Sequence, residues 1–162
     1  MNALANPEVG RYVNTAFVST YQKVGTFTLN GRQKQGGNVA TYFCTADGRV
    51  LHAVAGPVNA GTLLREARWA VETYKLALLD RPDDSSPEFR SLLGQAHTDR
   101  LREEYGVDLT DRHDWRRRNL DRQEQVHRLL ARTPAPRLGQ VYRQVFEDIL
   151  GEKVSTAPVV VR

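Results

Sequence analysis

Between Asn38 and Leu79 the apolar positions change period twice. Val39, Thr41 and Phe43 alternate with Ala40, Tyr42 and Cys44, the two-residue period of a pleated strand with both faces at least partly covered. Ala46-Asp47-Gly48 follows, and Val50 to Ala55 forms a second apolar run. Asp-Gly between two such runs predicts a β-hairpin, because glycine tolerates the positive φ of a tight turn. With Asp47 and Gly48 as a two-residue loop, Ala46 faces Arg49, Cys44 faces Leu51 and Phe43 faces His52. Gly56-Pro57 ends the second strand, and Asn59 is placed to cap a helix. Leu63, Leu64, Ala67, Val71, Tyr74 and Leu78 recur there at three- and four-residue steps, so this helix is expected to lie across the hairpin.

The flanks extend the pattern. Val9, Tyr12, Val13 and Phe17 follow helical spacing after Asn6-Pro7-Glu8, where Asn6 caps and Pro7 suits the first helical position. Phe17 to Val24 is rich in β-branched and aromatic residues and predicts a further strand. A polar, glycine-containing connection from Gly25 to Asn38 leads into the hairpin. Beyond Leu79 the chain reads as helical. The polar stretch Asp80 to Pro87 is a linker, and Ser86 with Pro87 opens a helix carrying Phe89, Leu93, Ala96, Leu101 and Tyr105 until Gly106. A second helix is expected from about Asp111 to Arg132, with a thin stripe of Trp115, Leu120, Val126, Leu129 and Leu130 that suits a helix extending away from the core. Leu138, Val141, Tyr142, Val145, Phe146, Ile149 and Leu150 make a broad stripe ended by Gly151. That face, Leu138 to Leu150, either docks onto the sheet or serves a protein partner or homodimer. The expected organisation is an α/β domain over residues 1–79 and a helical extension over 80–162.

Composition narrows the class. The 162 residues suit about one domain, and an apolar fraction of 40% supports a core. Mean hydropathy is -0.52, and no apolar run approaches the roughly 20 residues of a membrane-spanning helix. Met1 to Asn6 lacks the basic start and apolar block of a signal peptide, which places the chain as written in the cytoplasm. A periplasmic or secreted location would follow from a missing upstream signal segment. The formal charge of +4 is uneven, with 8 Lys/Arg against 4 Asp/Glu up to Leu79 and 15 against 15 beyond. Arg116-Arg117-Arg118, with Arg112, is the densest basic run, but Asp111, Asp114 and Asp121 among these residues would repel a phosphate backbone. A solvated helix face is therefore expected, rather than a nucleic-acid patch.

Candidate chemistry is sparse. Cys44 is the only cysteine, which excludes an intramolecular disulfide and any multi-cysteine metal site. Placed inside a strand, it is expected to be a small buried hydrophobe, on the face opposite His52. Gly31-Arg32-Gln33-Lys34-Gln35-Gly36-Gly37 matches neither the P-loop nor the dinucleotide spacing. The four histidines, His52, His97, His113 and His127, are dispersed along the chain. His113 with Asp111 and Asp114 reads as a solvated helix start rather than a metal cluster, and Glu103-Glu104 lies on a polar face. No catalytic, cofactor-binding or metal-ligating residue is expected from this pattern, and no cofactor.

One family resemblance emerges from the order of these pieces. Asn6-Pro7-Glu8-Val9 leading to Asn14-Thr15-Ala16-Phe17-Val18, then Ala46-Asp47-Gly48-Arg49-Val50-Leu51, Gly56 and a closing helix, resembles the thioredoxin-like fold over residues 1–79. The resemblance implies a sheet whose first strand leads into Trp-Cys-x-x-Cys at the start of a helix, and a cis-proline just before the hairpin. This chain has no Cys-x-x-Cys and no proline near Val39. Dithiol exchange needs an attacking thiolate and a resolving thiol, and one thiol cannot supply both. The resemblance thus implies a thioredoxin-like sheet lacking its first strand and a domain without redox activity, acting as an interaction or structural module. Two other classes stand beside it: a thiol oxidoreductase whose active-site segment lies upstream of Met1 or which uses Cys44 alone, and a basic nucleic-acid-associated protein. The expectation is that Met1 is an internal methionine of a longer relative. The absent strand leaves an edge to be paired by Phe17 to Val24, or covered by a partner or by the tail Ala157 to Val161.

Overall fold

The computed structural model describes residues 3–22, 28–30, 33–35, 38–79, 83–110 and 120–154. After a short 3-10 turn at Ala3–Ala5, α1 spans Pro7–Ala16. A small antiparallel pair follows, β1 (Thr28–Asn30) and β2 (Gln33–Gln35). The main hairpin is β3 (Ala40–Cys44) and β4 (Val50–Ala55), followed by α2 (Ala60–Leu78), α3 (Pro87–Tyr105), α4 (Arg122–Arg132) and α5 (Leu138–Gln144). The last helix runs into a π-helical turn at Val145–Ile149. The chain is therefore mixed α/β, with helices dominating.

Helix starts follow local chemistry. Asn6 accepts from the amides of Glu8 and Val9, Asn59 from that of Thr62, and Ser86 from that of Phe89, with Pro7 and Pro87 at first helical positions. Each cap satisfies donors that the first turn leaves orphaned. Gly106 ends α3 in the left-handed region, φ 63°, as its position predicts.

The hairpin has helices on both faces. Phe43 and Val54 pack against Val9 of α1 and Leu63, Leu64, Ala67 and Ala70 of α2. On the opposite face Val50, Ala53 and Ala55 meet Val126 and Leu130 of α4, Val141 of α5, and Val145, Phe146 and Leu150 beyond it. Helix α3 closes the third side, where Phe89 and Leu93 join Leu51 and Ala77. Every residue of β4 is buried as a result.

Several expectations give way to physical reasons. Phe17 to Gln22 forms no strand. Val18 is fully exposed and Tyr21 nearly so, and only Phe17 folds back, its ring 5.3 Å from Phe43. Strand-forming residues do not hold a strand without a neighbour to pair with. Part of the expected glycine-rich connection carries the β1–β2 pair instead. The hairpin loop has three residues rather than two: Thr45 pairs with Arg49, Gly48 sits at φ 80°, and a bulge sets Cys44 opposite Val50, while Phe43 still faces His52. Helix α4 begins at Arg122, capped by Asp121, and packs closely on α3 instead of extending away. The residues expected to start it, from Asp111 to Asn119 and including His113, Trp115 and Arg116 to Arg118, lie outside the described residues, as do Val24 and Ala157 to Val161.

The face Leu138 to Leu150, a candidate surface for a partner or homodimer, is turned inward. Val141, Val145, Phe146 and Leu150 are buried in the core shared with β4 and α4, and Leu138 remains partly exposed. No helix among the described residues is long and apolar enough to cross a membrane.

The α3–α4 approach depends on Gly94. A methyl there would stand 2.8 Å from Pro134 Cγ and 3.4 Å from the Ala131 carbonyl oxygen. Gly94→Ala gains about 1 kcal/mol of helix propensity, but overpacking against a rigid ring costs about 1–3 kcal/mol. We expect a net loss of about 1 kcal/mol, read as a lower urea midpoint with unchanged slope. A gain in stability would show that the helices are not held this close.

Candidate functional site

Polar residues occupy the apolar stripes of three helices. Glu66 lies between Leu63, Ala67 and Ala70 on α2, and His97 stands four residues from both Leu93 and Leu101 on α3. His127 adjoins Val126 and Leu130 on α4. His52 faces them from β4 with no solvent exposure, and His97 and His127 are 1% and 0% exposed. Glu66 is also fully buried, and Arg100 is 5% exposed. The fold thus brings together His52, Glu66, His97 and His127, which stand 14 to 75 residues apart in the chain. Dispersed in sequence, three of the four histidines meet in space.

Glu66 organises the centre. Its Oε2 lies 2.9 Å from His52 Nε2 and 2.7 Å from Arg100 Nη1, and its Oε1 accepts from Arg100 Nη2 at 2.9 Å. The exposed Arg65 also donates to Oε1. Arg100 continues to Glu104, with Nε donating at 2.8 Å, and its guanidinium lies 4.8 Å from the centre of the Trp69 ring. Burial alone would raise the Glu66 carboxyl, but the bonds from His52 and Arg100 outweigh it and hold the group ionised, at about 2.

The hydrogen-bond network fixes each imidazole's tautomer. His52 Nε2 points at an ionised carboxylate oxygen, so Nε2 carries the proton and Nδ1 is a bare lone pair. Gln123 Nε2, 3.3 Å from His52 Nε2, donates to the Ala53 carbonyl at 2.6 Å. His97 Nε2 lies 3.0 Å from the Leu51 carbonyl oxygen, which can only accept, so its lone pair is at Nδ1. That Nδ1 is 2.8 Å from His127 Nδ1, which must donate, leaving Nε2 of His127 bare. Among the described residues His52 Nδ1 and His127 Nε2 are buried without a hydrogen-bond partner. Such orphans are uncommon in folded interiors and call for an explanation.

One ring nitrogen from each of His52, His97 and His127 lies within 4.8 Å of the others. Trp69 covers the cluster edge-on, its ring 4.8 Å from His52 and 4.9 Å from His97. Its other side, with Arg100, lines an open cleft of about 830 Å³ between α2 and α3, bordered by Leu76, Leu92 and Asp99. Burial lowers all three imidazoles, taking His97 to about 3, and keeps them neutral. Chemically the cluster offers neutral nitrogen donors and a fixed carboxylate.

The other candidates lie elsewhere. Cys44 packs with Val50 and Ala53 on the opposite face of the hairpin, and burial pushes its thiol up to about 11. Glu104 belongs to the buried network through Arg100, although its own side chain is exposed, and Glu103 lines the cleft. No family model, curated protein or solved structure matches this chain.

Stability should fall with acid. An unfolded chain charges its histidines near pH 6.5, whereas the folded one keeps them neutral, so the unfolded state binds more protons below that pH. Each buried histidine then weakens the folding equilibrium by up to about tenfold per pH unit. Glu66 acts in the same direction, its contribution full above its ordinary 4.5 and lost as the pH falls towards 2. Urea midpoints should drop steeply between pH 6.5 and pH 5, and a flat profile would mean that the imidazoles are not held neutral. Glu66→Ala should cost about 3–5 kcal/mol, because it strips Arg100 of its buried partner, and calorimetry would register the loss.

Proposed function

We propose that this chain is a thioredoxin-like domain without redox activity, serving as an interaction or structural module with a helical appendage. The observation that carries the reading is the state of the only cysteine. Cys44 sits in β3 opposite Val50, half-buried, with a thiol held near 11. A thiolate is the nucleophile in exchange reactions, and a raised pKa removes it at neutral pH. The second thiol that exchange requires is not present in this chain. The hairpin with α2 laid across it also supports the reading, because that is the part of the thioredoxin-like arrangement to which residues 40–78 bear a resemblance. The buried polar centre supports the structural side, since it ties β4 to three helices and exposes no reacting group.

A disulfide reagent separates this reading from a thiol oxidoreductase. A thiol at about 11 instead of 9.0 carries about a hundredfold less thiolate. Cys44 should react about a hundredfold more slowly in the folded chain than after denaturation, and insulin disulfides should be reduced only at background rate. Fast labelling of the native chain, or turnover of insulin, would remove the reading.

A further inference from the structure

We propose that His52, His97 and His127 form a binding site for one divalent transition-metal ion of the zinc class. This goes beyond the module reading and stands or falls separately from it.

The case rests on the tautomers. In protein metal sites a ligating histidine commonly gives its remote N–H to a carboxylate or a backbone carbonyl, which fixes the ring and frees the other nitrogen for the metal. His52 has this arrangement, with Nε2–H on Glu66 and Nδ1 bare. His97 has it as well, with Nε2–H on the Leu51 carbonyl and Nδ1 turned to the cluster. His127 brings the third imidazole, and its Nε2 is buried with no partner among the described residues. A purely structural network has no need of two buried lone pairs without donors, and a shared cation would supply the missing acceptor of electron density.

Distances and charge fit with a small adjustment. Donor atoms in a tetrahedral zinc site with bonds of about 2.0–2.1 Å stand about 3.3 Å apart. One nitrogen of each ring lies within 4.8 Å of the others, so the rings need only a small inward shift, and the 2.8 Å contact between the Nδ1 atoms of His97 and His127 opens by about 0.5 Å where both bind through Nδ1. That contact breaks when the ion enters, and His127 binds either through its bare Nε2 after the ring turns or through Nδ1 after the proton moves to Nε2. Glu66 and Glu104 both face Arg100, so the guanidinium is already neutralised and does not oppose a dication. Three imidazoles without thiolate select zinc, cobalt, nickel or copper over calcium and magnesium. Trp69 stands between the cluster and the cleft, so an ion held by the three rings is screened from bulk solvent.

Cobalt(II) is the probe. The full chain is stripped with chelator and titrated with cobalt(II) in the presence of excess magnesium. One equivalent should bind with the intense visible absorption of four-coordinate cobalt, and zinc should displace it. At about 100 times the dissociation constant the melting temperature should rise by about 5–10 °C. X-ray absorption on the same wild-type sample should show three imidazole nitrogens, so the outcome does not depend on a variant that could fail to fold. His113→Gln, which removes the remaining histidine, should leave binding unchanged, and His127→Asn, where it folds, should weaken it at least a hundredfold. Failure to bind, binding without imidazole nitrogens, or loss of binding in His113→Gln would overturn the proposal.

Discussion

A single buried carboxylate holds the centre of this molecule together. Glu66 meets His52 from β4 and Arg100 from α3 while sitting on α2, so three elements converge on two oxygens. Removing an ion from water is expensive, and a buried charge persists only when its oxygens are fully used. Here each oxygen is engaged at 2.9 Å or less. The cost of burial is thereby converted into geometry, because only one placement of α3 relative to β4 satisfies the carboxylate. The imidazole cluster inherits its order from that placement. His52 is oriented by Glu66, and His97 lies one turn before Arg100 on the same helix.

The same arrangement solves the problem of a two-stranded sheet. An isolated hairpin is marginal in water, and a bare strand edge invites pairing with other chains. The carbonyls of Leu51 and Ala53 are instead occupied by His97 and Gln123, and the Val50 amide donates to the Pro136 carbonyl. Side chains from α3 and α4 thus do for β4 what a neighbouring strand does in a larger sheet. Burial on both faces completes the protection, with α1 and α2 against Phe43 and Val54, and α4 and α5 against Ala53 and Ala55. The core therefore draws on both halves of the chain.

What the sequence discloses and what it withholds divide by range. Asn6, Asn59, Ser86 and Gly106 are legible because capping acts within a turn of the residue concerned. The pairing of Phe43 with His52 is legible because an Asp-Gly turn sets it locally, although the third loop residue shifted Cys44 to Val50. Phe17 to Gln22 misled because β-propensity reports the company a residue suits, and no strand among the described residues pairs with it. The histidine centre was hidden because its members come from three elements and look unremarkable one by one. A signal did exist. Glu66, His97 and His127 each sit on the apolar side of a helix, where an ionisable residue without a stated partner points to a partner elsewhere.

The way β4 is sheltered has a bearing on how the chain is made. His97 stands 46 residues beyond Leu51, and Gln123 stands 70 beyond Ala53. A ribosome adding about 5–20 residues per second needs about 4–14 seconds to synthesise that second span. Throughout that interval the nascent hairpin has its Ala53 carbonyl bare and Val50, Ala53 and Ala55 without the late helices that cover them, so this face of the strand is the last part of the core to close.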